Sequence, residues 1–285
     1  MIDLPFQVWD VFTDAPFSGN PLAIVETSGD LTAAQMQLLA RQFNLSETIF
    51  LMPPRDPMNT AKARIFFPTA EIPFAGHPTI GASLFLAARD DLTDLVLEEE
   101  AGLVPVTVRD GMAQFTAPVL PALHGGTVAV TLCAEALGLS KDAIGPHTPG
   151  TFAGGPAFVY IPVRDRDALA RARPMEPAWT GLMDSAGVDS AWVYDPDLNA
   201  RMFSPTAGIP EDPATGSACA ILAAQLLANG ALPDGTTVRT IRQGDDMGRP
   251  SRICFEADVA MGKLQAVRIS GRAVPVAEGR IRSPG

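Results

Sequence analysis

RIFFPTAEIPFAGHPTIGAS (Arg64–Ser83) and RMFSPTAGIPEDPATGSACA (Arg201–Ala220) are the two stretches that decide how this chain folds. Their first ten residues agree at seven positions, and they lie 137 residues apart in a chain of 285. A shift near half the length marks a unit that is duplicated and folded twice. Beyond the tenth residue the copies part, FAGHPTIGAS against EDPATGSACA. Where the copies agree they specify scaffold; where they differ in polar residues they point to chemistry.

Both stretches run into segments of good helix formers, Gly76–Arg89 and Gly216–Asn229, that are apolar on almost every side. Helices of that kind are buried all round. Pro78 suits a first turn, where its missing N–H is no loss, and Gly230 supplies a stop. Outward from these helices the first half reads as short strands: Phe6–Phe12, Pro21–Val25, Asn44–Leu51, Lys62–Phe67, Leu95–Glu100, Leu103–Val108 and Met112–Ala117. They are rich in β-branched and aromatic residues, and Asp110-Gly111 makes a hairpin turn. Leu31–Phe43 has helical spacing behind a candidate N-cap, Asp30.

A loop over Pro118–Gly126 leads to a second half in the same order. Val128–Leu137 reads as a helix, and FAGGPAFVYIPV (Phe152–Val163) echoes FSGNPLAIV (Phe17–Val25). A helix over Ala178–Ala186 and a strand over Val188–Tyr194 come next, and Val238–Gln243, Ser251–Ala257 and Leu264–Ala273 close the chain as strands. The expected fold is α+β, with two similar domains at 1–120 and 121–285. Each is a barrel-like, strand-rich sheet around a central apolar helix. Ligands favour domain interfaces, so the expected site draws on both halves.

With 47% apolar and 19% charged residues, the composition is that of a globular protein. The net charge of −11 and the absence of clustered Lys and Arg argue against nucleic acid or an anionic membrane as partner. No apolar run reaches the ~18 residues a membrane-spanning helix needs, and the start MIDLPFQVWDVF lacks the marks of a secretory signal. Cys133, Cys219 and Cys254 are odd in number and far apart, which fits reduced thiols in a cytoplasmic protein. No zinc or calcium spacing, no dinucleotide or phosphate-loop fingerprint and no G-x-S-x-G is present, so neither a metal nor another cofactor is expected.

Four positions carry polar residues that the scaffold does not demand. Glu47 sits in LSETIFL at the edge of an apolar strand, beside Ser46, and its repeat counterpart is Ser190. A carboxylate in such a place suits proton transfer, because loss of water makes its charged form costly; a solvent-facing strand residue is the plain alternative. His77 stands opposite Ala214 in the repeat, Asp212 opposite Ala75, and Ser217 opposite Ile80. Taken alone, His77 reads as readily as an ordinary loop histidine. Both helix starts are rich in small residues, with Gly76 in one half and Thr215, Gly216, Ser217 and Ala218 in the other. Free N–H groups at a helix start attract an anion, and small residues let a carboxylate approach. The bland reading is that these glycines only permit tight turns. Duplication of the feature favours a site for a small carboxylate, and what remains is proton transfer on a carbon acid without a cofactor.

DVFTDAPFSGNPLAIV, NLSETIFL, RIFFPTAEIPFAGHPTIGA, GIPEDPATGSACA and QGDDMGRPS (Gln243–Ser251) together resemble the PhzF family, the phenazine-biosynthesis-like isomerases of the diaminopimelate epimerase fold. The match runs from about Phe6 to Gly271. The resemblance implies Glu47 as general acid/base, with His77, Asp212 and Ser217 lining the site. It also implies a homodimer and a small cyclic acid as substrate, the type reaction being isomerisation of trans-2,3-dihydro-3-hydroxyanthranilate. Two rivals accompany this reading. One is a racemase or epimerase of the same fold, which needs a thiol in each half, whereas Cys219 has Ala82 as its counterpart and the first half lacks cysteine. The other is a small-acid-binding protein without catalysis.

Overall fold

The computed structural model describes residues 2–125 and 128–285; Gly126, the last residue of the expected Pro118–Gly126 loop, lies outside them. The chain divides into two compact units, Met1–Thr116 with Ser270–Gly285, and Ala117–Ile269.

In the first unit the order is β1 (Asp3–Val11), β2 (Asn20–Glu26), α1 (Ala33–Phe43), β3 (Glu47–Met52), β4 (Ala61–Phe66), β5 (Glu71–Ile72), α2 (Gly76–Asp90), β6 (Asp94–Glu99), β7 (Gly102–Arg109) and β8 (Met112–Thr116). The second holds β9 (Ala122–Leu123), α3 (Val130–Ala136), β10 (Gly150–Ala153), β11 (Ala157–Pro162), α4 (Arg166–Arg171), α5 (Ala178–Ala186), β12 (Ala191–Tyr194), β13 (Asn199–Ser204), β14 (Ile209–Asp212), α6 (Gly216–Ala228), β15 (Gly235–Gln243), β16 (Ser251–Ala260) and most of β17 (Lys263–Gly271). The last strand, β18 (Ala273–Arg282), returns to the first unit, pairing antiparallel with β1 from Asp3↔Arg282 to Val11↔Ala273. The sequence placed residues 270–285 with the second half. Pairing between the two ends of the chain overrides that order, since it satisfies the backbone of both strands along their length.

Strand pairing in the first unit runs β18, β1, β2, β3, β4, β6, β7, β8, with β2–β3 and β4–β6 parallel and the remaining pairs antiparallel. The second repeats it as β9, β10, β11, β12, β13, β15, β16, with β11–β12 and β13–β15 parallel. Each sheet wraps its central helix. Strands β1, β2, β3, β6, β7, β8 and β18 pack on α2, and β9, β10, β11 and β16 on α6. Hence Gly76–Ala87 are all buried in α2 and Ala218–Leu226 in α6. Where α2 crosses β1 and β2 a side chain has no room: a Cβ at Gly81 would lie 2.6 Å from Leu22 Cδ2 and 2.8 Å from Val11 Cγ2.

The outer face of each sheet is covered too. Met36, Leu39 and Ala40 of α1 pack with Val25, Phe50, Met52 and Phe66, while Trp179, Leu182 and Met183 of α5 join Cys133, Val159, Ile161, Val193 and Phe203. Helix α1 starts later than its apolar spacing suggests. Its N-cap is Thr32, not Asp30, because Thr32 and Gln35 close a capping box: the Gln35 N–H donates to Thr32 Oγ1 (3.3 Å) and the Thr32 N–H to Gln35 Oε1 (2.9 Å). The second apolar helix ends at Ala228 with Asn229 as its cap, and Gly230 follows in the left-handed region.

Candidate active site

With Phe50 and Met52 turned toward α1, the two-residue period of β3 sends Glu47, Ile49 and Leu51 to the opposite face, where α2 runs. There the Glu47 carboxylate meets the first turn of α2: Oε2 lies 2.8 Å from Nδ1 of His77. Both residues are buried, Glu47 at 8% exposure and His77 at 2%. The other ring nitrogen of His77, Nε2, is buried and has no hydrogen-bond partner among the described residues. A buried polar atom without a partner is destabilising, so its retention beside a carboxylate marks a position that a bound molecule would complete. Gly76, next to His77, is buried as well, and Ser46 precedes β3 half-buried.

The register of β3 confirms which residue replaces Glu47 in the second unit. Thr48 pairs with Phe66 and Ala191 with Phe203, and Phe66 and Phe203 follow the duplicated arginines by the same spacing. Ser190 therefore stands where Glu47 does, and its hydroxyl donates to Ser204 Oγ at 2.7 Å. The same shift does not extend into the helices. β14 has four residues where β5 has two, and α6 starts at Gly216 against Gly76 for α2. Counting from the helix starts, Ser217 rather than Ala214 matches His77, and Thr79 rather than Ala82 matches Cys219.

In the second unit Asp212 ends β14, buried at 5% exposure. Thr215 is the N-cap of α6, but its hydroxyl donates to Asp212 Oδ2 at 2.6 Å and caps nothing. The N-cap residues of α6 and α2, Thr215 and Ala75, make no side-chain capping hydrogen bond. The small residues Gly216, Ser217 and Ala218 form that first turn in α6, with Ser217 the half-exposed one. This helix start has the donors and dipole that hold an anion.

Gln243 opens QGDDMGRPS, and its sequence context alone assigns it no role. Its amide Nε2 donates to the Asp212 carbonyl (2.8 Å) and to Thr215 Oγ1 (3.0 Å), while its Oε1 accepts from the Thr215 N–H (3.2 Å) and Trp192 Nε1 (3.3 Å). Gly244 behind it has φ of +82°, and a Cβ there would fall 2.3 Å from the Arg249 carbonyl and 2.7 Å from that of Pro213. The Gln-Gly pair thus clamps the turn that presents Asp212. Only the fact that a glutamine follows a β-branched strand run signalled this in the sequence, which is too common a pattern to read.

Cys219 is fully buried in α6, and loss of solvent pushes its thiol well above the usual range; burial likewise pushes Cys133 up to about 12. Neither thiol forms a thiolate at neutral pH. His147, which carried no assignment, lies with Nδ1 2.9 Å from the Tyr194 hydroxyl, in a network with Gln225. Among the described residues no three His, Cys, Asp or Glu side chains cluster as a metal site, and no helix is long and apolar enough to cross a membrane.

The family model for phenazine biosynthesis-like protein, PhzC-PhzF, matches residues 9–279. The chain belongs to this family. An uncharacterized isomerase of Mesorhizobium japonicum is 38% identical to this PhzF-type chain over 97% of it and 98% of the relative. The trans-2,3-dihydro-3-hydroxyanthranilate isomerase of Pseudomonas aeruginosa is 35% identical over 96% and 98%. A solved structure of a predicted epimerase from Pseudomonas aeruginosa superimposes with a TM-score of 0.84 at 29% identity, covering 99% of this chain and 100% of that one. The PhzF family is one of isomerases, and the α+β fold expected from the sequence is the fold of these neighbours.

Proposed function

We propose that this PhzF-type isomerase moves a proton from one carbon to another within a small, cyclic carboxylic acid, without a cofactor. The observation that carries the reading is the buried Glu47–His77 pair, 2.8 Å apart, with Nε2 of His77 left without a partner. Glu47 removes a proton next to an unsaturated or carbonyl-activated carbon and returns it elsewhere on the ring. His77 shares that proton through Nδ1 and orients the carboxylate. In the second unit, Asp212 and Thr215 shape the start of α6, whose amides at Gly216, Ser217 and Ala218 take the substrate carboxylate. The similarity to trans-2,3-dihydro-3-hydroxyanthranilate isomerases makes that compound the first substrate to try.

The test is incubation with this compound and with other cyclic amino and hydroxy acids in deuterated water, after extensive gel filtration. Isomerised product carrying deuterium at one carbon supports the reading, provided Glu47→Gln abolishes it. Binding without exchange would make the chain a small-acid-binding protein instead. Epimerisation by two thiols is not proposed, because Cys219 and Cys133 are held neutral by burial and Thr79 stands where a first-unit thiol is needed. A homodimer in the cytoplasm belongs to the same reading, and sedimentation equilibrium checks the assembly: a monomer at micromolar concentration removes it.

A further inference from the structure

Strand register places Glu99 at the position Gln243 occupies in the second unit. In the parallel pair β4–β6, Lys62 faces Glu98; in β13–β15, Asn199 faces Arg242. Lys62 and Asn199 each stand two residues before the duplicated arginine, so Glu98 matches Arg242 and Glu99 matches Gln243. Both side chains reach the start of the central helix. Gln243 donates to Thr215 Oγ1, which in turn donates to Asp212. Glu99 Oε1 lies 2.7 Å from Thr79 Oγ1, and that hydroxyl is also 2.7 Å from the Ala75 carbonyl.

A hydroxyl has one hydrogen, and one hydrogen cannot lie along two such short O···O lines. The Ala75 carbonyl can only accept. With the Thr79 proton on Ala75, both contacts are hydrogen bonds only if Glu99 supplies its own proton, and the burial of Glu99 favours that arrangement over a charged carboxylate there. We infer that Glu99 is a neutral carboxylic acid that donates to Thr79 and so fixes the first turn of α2, where His77 holds Glu47, as Gln243 fixes the first turn of α6. It is a positioning residue: it touches neither Glu47 nor His77 directly.

Two further observations agree. Oε2 of Glu99 is buried and without a partner among the described residues, which a charged carboxylate tolerates far less than a neutral one. In the second unit the matching oxygen takes the Trp192 N–H, whereas Ile49 at that strand position has nothing to donate. Burial also pushes the Glu99 carboxyl up to about 8. The other charged groups on the elements packed around β6 are engaged elsewhere. Lys62 and Arg64 on β4 pair with Glu100 and Glu71, Arg109 on β7 with Asp94, and His77 on α2 with Glu47. Glu98, its neighbour, accepts from the Arg55 and Asp56 amides and from Asn59.

The inference is tested on the full-length protein by carbon-13 NMR of glutamate labelled at the side-chain carboxyl, with Glu99 assigned by its loss in Glu99→Gln. The expected result is a resonance in the neutral-acid position at pH 6 that titrates near pH 8. A resonance already in the carboxylate position at pH 6 overturns it. This readout needs no turnover, so its failure is distinct from failure of the isomerase reading, on which only the positioning role rests. That role is read from kinetics. Glu99→Gln keeps a donor and should retain kcat within about threefold, with any decline in activity on the alkaline side above pH 8 removed, whereas Glu99→Ala should lower kcat at least tenfold. Equal losses in the two variants, or a Gln variant that keeps the alkaline decline, overturn the role. If Glu99→Ala does not fold, Thr79→Val, which removes the acceptor of the neutral acid's proton, should lower the Glu99 titration midpoint and lower kcat; a midpoint that rises or does not move overturns the inference.

Discussion

The starts of α2 and α6 are the same structural position built twice with different chemistry. Around α2 the strands β2 and β3 supply aliphatic wall residues, Leu22, Ile24, Ile49 and Leu51, and the polar groups are Glu47, His77 and Glu99. Around α6 the corresponding strands supply Tyr160, Trp192 and Tyr194, and the polar groups are Asp212, Thr215 and Gln243. The aromatic side has donors to spare: Tyr160 reaches the Ala218 carbonyl at 2.6 Å and Trp192 reaches Gln243. The aliphatic side leaves Nε2 of His77 and Oε2 of Glu99 without partners among the described residues. A well-satisfied polar network serves as a rigid frame, and an under-satisfied one is where a ligand or a proton is accommodated. In the proposed reaction the first unit is the reactive copy and the second the holding copy.

That contrast can be broken most directly at Glu47. Glu47→Gln keeps the shape of the side chain and its contact with His77 but removes the base, and turnover on the identified substrate should fall by roughly 10²–10⁴. Steady-state kinetics beside a circular-dichroism check of folding decides it, and a loss under about tenfold refutes the role. The reciprocal change Gln243→Glu asks whether the holding copy tolerates an acid. Its donor to the Asp212 carbonyl would be lost, so destabilisation should reach roughly 1–3 kcal/mol, and more where the new group ionises. Because burial raises the acid's folded pKa, its proton is retained more tightly in the folded state, so the variant should be least destabilised at low pH and lose stability as pH rises through that pKa. Denaturant melts at several pH values would show this, and a flat profile argues against the equivalence of the two sites.

A smaller effect is expected where only packing is at stake. Gly81→Ala puts a methyl group against Leu22 and Val11, and overpacking of this kind typically gives about 1–3 kcal/mol; thermal unfolding measures it, and an unchanged melting temperature would mean that β1 and β2 yield easily. The smallest change is Thr32→Ala on the surface, about 1 kcal/mol from the lost capping box of α1, with no effect on kcat in either copy's chemistry. For the wild-type protein the Glu99 linkage runs the same way as in Gln243→Glu. Stability from that residue is full below the ordinary carboxyl range near 4.5 and is lost as pH rises through about 8. Glu99→Gln should flatten that part of the stability profile.

The sequence by itself determined the duplication, the two buried helices and the polar residues that break the symmetry. These follow from local composition and from comparing one half with the other: Glu47 against Ser190 needs nothing but alignment. What it left open depends on contacts between distant segments. The last strand belongs with the first unit because β18 pairs with β1, and no local preference of Ala273–Arg282 specifies its partner. Thr32 rather than Asp30 caps α1 because a reciprocal bond with Gln35 wins over spacing. The shift of 137 fails at the helix starts because β14 is longer than β5, which alters the partner assigned to His77. Glu99 sits in a run of three glutamates at the end of the strand read over Leu95–Glu100, and nothing local distinguishes one of the three from the others. Only tertiary structure buries two of the three and sets Glu99 beneath Thr79, because strand register and the position of a buried helix decide which side chains lose water. Burial is a property of the whole fold, and with it goes the protonation state on which the chemistry depends.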